Sequence, residues 1–225
     1  MKRVLEFLNN LQQNNYREWF EDNKSEYKEA QAIFNETVNK LIVAISSFDP
    51  AIAKLTAKDC TFRIYRDVRF SKDKNPYKTH MGAFISPYGR GSGYSGYYFH
   101  VEAEGANYIG GHILSTGVYR PEPSALKSIR EEIFLNGERF EDTIAKAKDF
   151  QLETGEALKR VPGGYPSDYK YADYLKLKNY FLTRYVDDSW MTSPDLIERS
   201  VQEYRTTKEF HDMLNKAISY AFENR

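Results

Sequence analysis

The apolar residues of this 225-residue chain change period twice, and that change restricts the fold more than any other feature. Tyr27, Ala30, Phe34, Val38, Leu41 and Ile45 recur three and four residues apart, one stripe of a long helix that Asp49 and Pro50 should end. Val4, Leu8 and Leu11 suggest a shorter helix before it. From Phe62 the period falls to two. Phe62, Ile64, Val68 and Phe70 alternate with polar residues, as a half-buried strand does. Strand-like runs continue to about Leu114: Met81, Ala83 and Ile85 share one face, and Tyr97, Phe99 and Val101 lie opposite Tyr98, His100 and Glu102. Helical spacing returns after Pro121 and Pro123 with Leu126, Ile129 and Ile133, then with Phe140, Ile144 and Ala147. Ser193 and Pro194 should open a last long helix as N-cap and first-turn residue. Helices on either side of one antiparallel block read as α+β, with the sheet at about 60–115 between N-terminal and C-terminal helices. No repeat, low-complexity tract or linker divides the chain, so a single domain spanning 1–225 is expected.

Charge is unevenly spread along a chain whose 32 basic and 32 acidic residues cancel. Between Lys58 and Arg90 eight Lys or Arg stand against three Asp, a local excess of five positive charges. Such a patch on an otherwise acidic body focuses its field on a compact anion, whereas a nucleic-acid coat needs a basic domain overall. A phosphate-bearing or carboxylate-bearing small molecule is therefore the expected ligand. The alternatives are a nucleic-acid-binding module and a protein-interaction protein without enzymatic activity, which would use the same cations as a polar rim.

Composition narrows the rest. The lone Cys60 rules out an internal disulfide and any cysteine-based zinc site. No stretch approaches the ~20 apolar residues of a membrane span, and the N-terminal run is too short and polar for a signal peptide, so a cytoplasmic protein is expected. The turn at Gly89–Gly93 lacks the lysine and hydroxyl of a phosphate-binding loop, and no motif implies a cofactor. Oligomeric state leaves no mark in the sequence.

Five motifs together resemble a known family: NNYREWFEDNK at 14–24, FRIYRDVRFSKDKNPYKTH at 62–80, GYYFH at 96–100, YRP at 119–121 and LKRVPGGY at 158–165. They are similar to domain-of-unknown-function family 2461, a group of bacterial hypothetical proteins, over nearly the whole chain. The resemblance implies one domain and carries no activity with it. Two departures from that pattern are visible: Gly110 and Gly111 are separated from Gly117 and Pro121, and Ser167 to Lys170 stands where a His-Pro pair is expected.

Within the basic segment, Arg63 and Arg69 share the polar strand face, and their guanidinium forks suit a bidentate oxyanion. Lys72, Lys74 and Lys78 add point charges on the following turn, with Tyr77 beside them. Arg66 falls on the apolar side and is expected to be a structural cation paired with a carboxylate other than its neighbour Asp67, itself a structural residue. His80 next to this turn is the candidate acid or base, because imidazole titrates near neutral pH. His80, His100 and His112 lie in the predicted sheet region and His100 shares a face with Glu102, so a His, His, carboxylate metal site could be drawn, but no two of these histidines have a recognised ligand spacing and none is expected. The blander reading is local pairing by Asp67 and Asp73, with the lysines as a solvated edge that discourages strand addition.

Overall fold

The computed structural model describes residues 1–224 and contains ten α-helices and five strands among them. The strands are β1 (His80–Ile85), β2 (Gly96–Glu102), β3 (His112–Val118), β4 (Gln151–Leu152) and β5 (Tyr180–Val186). They form one antiparallel sheet in the order β1-β2-β3-β5-β4. The architecture is α+β, with the sheet in mid-chain between helices. Its last two strands lie beyond the span that alternation had marked, because β5 pairs with β3 across more than sixty residues of helix and loop.

The alternation within each strand decides what the two sheet faces meet. Met81, Ala83 and Ile85 of β1, and Tyr97, Phe99 and Val101 of β2, are buried in the hydrophobic core. Phe34 on the helix Lys24–Ser46 stacks on Phe99 with ring centroids 6.0 Å apart. The C-terminal helices close the same face: the Tyr204 hydroxyl donates to the Tyr98 carbonyl at 2.7 Å, and Thr207 donates to Thr116 at 2.8 Å. Thr207 also separates two helices, Leu196–Thr206 and Lys208–Glu223, where Ser193 and Pro194 suggested the start of one long helix. Ser193 caps neither of them; its hydroxyl turns to Asp195. The helices Pro123–Leu135 and Gly137–Lys146 match their predicted stripes. No helix among the described residues is long and apolar enough to cross a membrane.

Phe62 to Phe70 does not form the predicted strand. Isolated bridges, Thr61 to Ala83 and Tyr65 to Tyr77, stand in place of a strand ladder. The reason is local pairing. Arg69 turns back onto Asp67, Arg66 reaches Asp73, and Lys74 donates to the Val68 carbonyl at 3.1 Å, so the chain folds on itself instead of extending along β1. Phe70, placed by alternation on the buried side, is 96% exposed.

Candidate functional site

The opposite face of the sheet is open, and a cleft of about 630 Å³ lies over it. Strand register arranges its floor in rows. Gly82, His100, Ile113 and Tyr185 form one row across β1, β2, β3 and β5; Phe84, Tyr98, Ser115 and Thr183 form the next. Phe62, Arg63, Lys78 and Arg90 line the β1 side, and Glu153 and Phe181 lie toward β5. Apolar walls with a few convergent polar groups are what a small-molecule site requires.

The most connected polar group in this face is Glu102, buried at the end of β2. Its carboxylate accepts backbone N–H bonds from Tyr108 (2.7 Å), Ile109 (3.0 Å), Gly110 (3.1 Å) and Gly111 (3.4 Å). Gly110 has φ +91°, a left-handed value that lets successive amides turn inward on one anion. Burial alone would raise the Glu102 carboxyl, but the His100 bond and the Tyr108 and Ile109 amides outweigh it and bring it down to about 2. An ionised carboxylate only accepts, so His100 Nε2, 3.1 Å from Oε2, must carry the proton. His100 Nδ1 is then an acceptor, and Tyr98 Oη at 2.9 Å donates to it. The direction of the Tyr98, His100, Glu102 chain is thus set from its anionic end. Gly82 makes room for it, since a Cβ there would lie 2.5 Å from Tyr98 Oη.

His80 sits beside this chain, its ring 4.9 Å from that of His100 and stacked at 4.0 Å on Tyr108. Desolvation, followed by the charges of His100 and Lys78, lowers the His80 pKa to about 3, so the ring is neutral at physiological pH. Its Nδ1 is buried without a hydrogen-bond partner, and so is Thr183 Oγ1 across the floor. Unsatisfied buried polar atoms cost about 1–3 kcal/mol each, and both of these belong to residues that line the cleft.

Of the residues singled out by sequence, Arg63, Lys78 and His80 line the cleft. Arg66 and Arg69 take Asp73 and Asp67, which leaves Arg63 and Lys78 without an ion pair among the described residues. Arg66 is half-buried and also donates to the Asn75 carbonyl at 3.2 Å. Burial, then the charges of Arg63 and Arg66, lowers the Lys78 pKa. Lys72 and Lys74 are exposed on the loop, and Arg69 is exposed and tied to Asp67. Tyr77 is turned into the core, stacked 3.9 Å from Phe20. His112 belongs to the other face of β3, where its Nδ1 accepts from the Glu102 amide at 3.0 Å and its Nε2 meets Asp188 at 2.8 Å. No group of three or more His, Cys, Asp or Glu among the described residues is placed to hold a metal ion. Sequence reasoning put Tyr98, His100 and Glu102 on one strand face but missed that they touch; their spacing of two was the available signal.

The sequence profile of a family described as a conserved hypothetical protein, DUF2461, matches residues 3–213. No curated protein and no solved structure matches the chain.

Proposed function

From the premise that the chain belongs to the DUF2461 family, we propose that its open sheet face binds a small organic anion. Arg63 and Lys78 hold the phosphate or carboxylate, His80 Nδ1 completes its hydrogen bonding at that end, and the apolar body lies over Phe84, Ile113 and Phe181. A polar group at the far end meets Thr183. The observation that carries this reading is that three cations, Arg63, Lys78 and Arg90, line a cleft of about 630 Å³ while Asp73 and Asp67 are taken by Arg66 and Arg69. A half-buried amine whose pKa is lowered by desolvation, and further by like charges, gains from an arriving anion, which favours its charged form. The same coupling makes binding take up a proton near the Lys78 pKa.

Thermal unfolding with phosphate, pyrophosphate, mononucleotides and aromatic carboxylates tests the proposal. A ligand at a hundredfold excess over its Kd should stabilise the native chain by about 2.7 kcal/mol. The Arg63→Gln, Lys78→Gln double variant should melt like the native chain and lose that gain. Stabilisation by no anion would contradict the reading. A steep salt dependence seen only with oligonucleotides would replace it with a nucleic-acid interface.

A further inference from the structure

We propose that Tyr98 is the catalytic acid–base residue of this cleft, the outer end of a proton relay that runs through His100 to Glu102. The proposal rests on the anion-binding reading for its substrate class, a phosphate or carboxylate that also carries a hydroxyl, and on separate observations for its chemistry. Three features set the relay apart from an ordinary buried hydrogen-bond chain. Four backbone amides and one imidazole hold Glu102 as an anion, so the direction of every bond in the chain is determined. His100 is fully buried and its ring is fixed at both nitrogens, which leaves it no alternative partner. Tyr98 is half-buried and lines the cleft; desolvation, then Tyr108 and Glu102, raises its pKa, so it rests protonated with that proton directed at His100 Nδ1.

The step is a proton transfer. The hydroxyl O–H bond of the substrate breaks, and its proton passes to Tyr98 Oη. The Tyr98 proton passes to His100 Nδ1, and the imidazolium that forms lies against the Glu102 carboxylate. The electron pair stays on the substrate oxygen, beside the cations that hold its anionic group. No oxidant or second reactant is consumed, and the reverse transfer restores the resting chain. Glu102 and His100 act through Tyr98 and are positioning residues.

A neutral electrophile, phenylmethylsulfonyl fluoride, reads this activation without the anion site. Attack by Tyr98 Oη forms an O–S bond and breaks the S–F bond; fluoride leaves, and the phenol proton goes to His100. Peptide mapping by mass spectrometry should find Tyr98 modified at least about tenfold faster than Tyr88, which is 84% exposed and has no such partner. His100→Gln should bring Tyr98 down to the Tyr88 rate. If His100→Gln does not fold, ¹⁵N spectra of the native chain decide: His100 must show a protonated Nε2 and an acceptor Nδ1, with the Nδ1 resonance shifting in Tyr98→Phe. Tyr98 modification no faster than that of Tyr88, or a His100 protonated at Nδ1, would overturn the proposal.

Discussion

Tyr97 and Tyr98 are adjacent in β2, and each donates its hydroxyl into a histidine–carboxylate set on its own side of the sheet. On the helix side, Tyr97 Oη donates to Asp49 Oδ2 at 3.0 Å, His211 Nε2 lies 3.0 Å from the same oxygen, and Ser95 Oγ is 3.1 Å from His211 Nδ1. All four residues are buried and none lines the cleft. On the cleft side, Tyr98, His100 and Glu102 use the same residue types and similar distances. The difference is access. Ser95, His211 and Asp49 resemble a hydrolytic triad in composition, yet no substrate can reach the serine, so the set serves as a clamp between sheet and helices. Residue type and spacing therefore do not separate a structural network from a reactive one; the face of the strand does.

Acid should separate the two faces most strongly. His80 and Glu102 have folded-state pKa values of about 3 and about 2, below their ordinary 6.5 and 4.5. Both are lowered on folding, so the stability they contribute is complete above the ordinary values and is lost as pH falls. His80 begins this loss near pH 6.5, and well below that each such group removes about 1.4 kcal/mol per pH unit until its folded pKa is reached. Urea midpoints measured from pH 7.5 to 4.5 should fall accordingly, and His80→Phe should flatten the upper part of that slope. An unchanged slope in the variant would move the acid sensitivity off the cleft.

The two tyrosines give a smaller and sharper contrast. Tyr97→Phe leaves a buried carboxylate short of one donor and should cost about 1.5–3 kcal/mol in chemical denaturation, the range for bonds to charged groups. Tyr98→Phe removes a neutral bond at a half-buried site and should cost under about 1 kcal/mol. Equal losses would mean that Tyr98 is also a clamp. Smallest of all is the effect of Arg66→Ala: with Asp73 largely exposed, the pair is a surface bridge that holds the loop, and its loss should cost about 0.5 kcal/mol or less. A larger drop would show that the loop stabilises the core through Tyr77.

The periods of apolar residues exposed much of the fold in advance. Helices such as Lys24–Ser46 and Pro123–Leu135, and the inward faces of β1 and β2, follow from local spacing because one face of each is buried. Tyr180–Val186 escaped, since its partner in β3 is remote and its neighbours in sequence are helical. The segment 62–70 misled because alternation describes a strand only where a neighbouring strand exists to receive it, and here three Arg or Lys side chains find partners within the segment's own loop. The charge excess located the cleft's cationic side at Arg63 and Lys78. It could not show that Tyr77 packs inward or that the amides of Tyr108 to Gly111 converge on Glu102, because both depend on contacts between distant parts of the chain.

The central claim is that the cleft face, and not the helix-side clamp or the lysine loop, meets the ligand. Titration of ¹⁵N-labelled protein with pyrophosphate tests it most directly. The expected result is saturable shifts at Arg63, Lys78 and His80 to Phe84 that extend to Tyr98 and His100, with Ser95 and His211 silent. Shifts confined to Lys72 and Lys74, growing linearly with added anion, would contradict it.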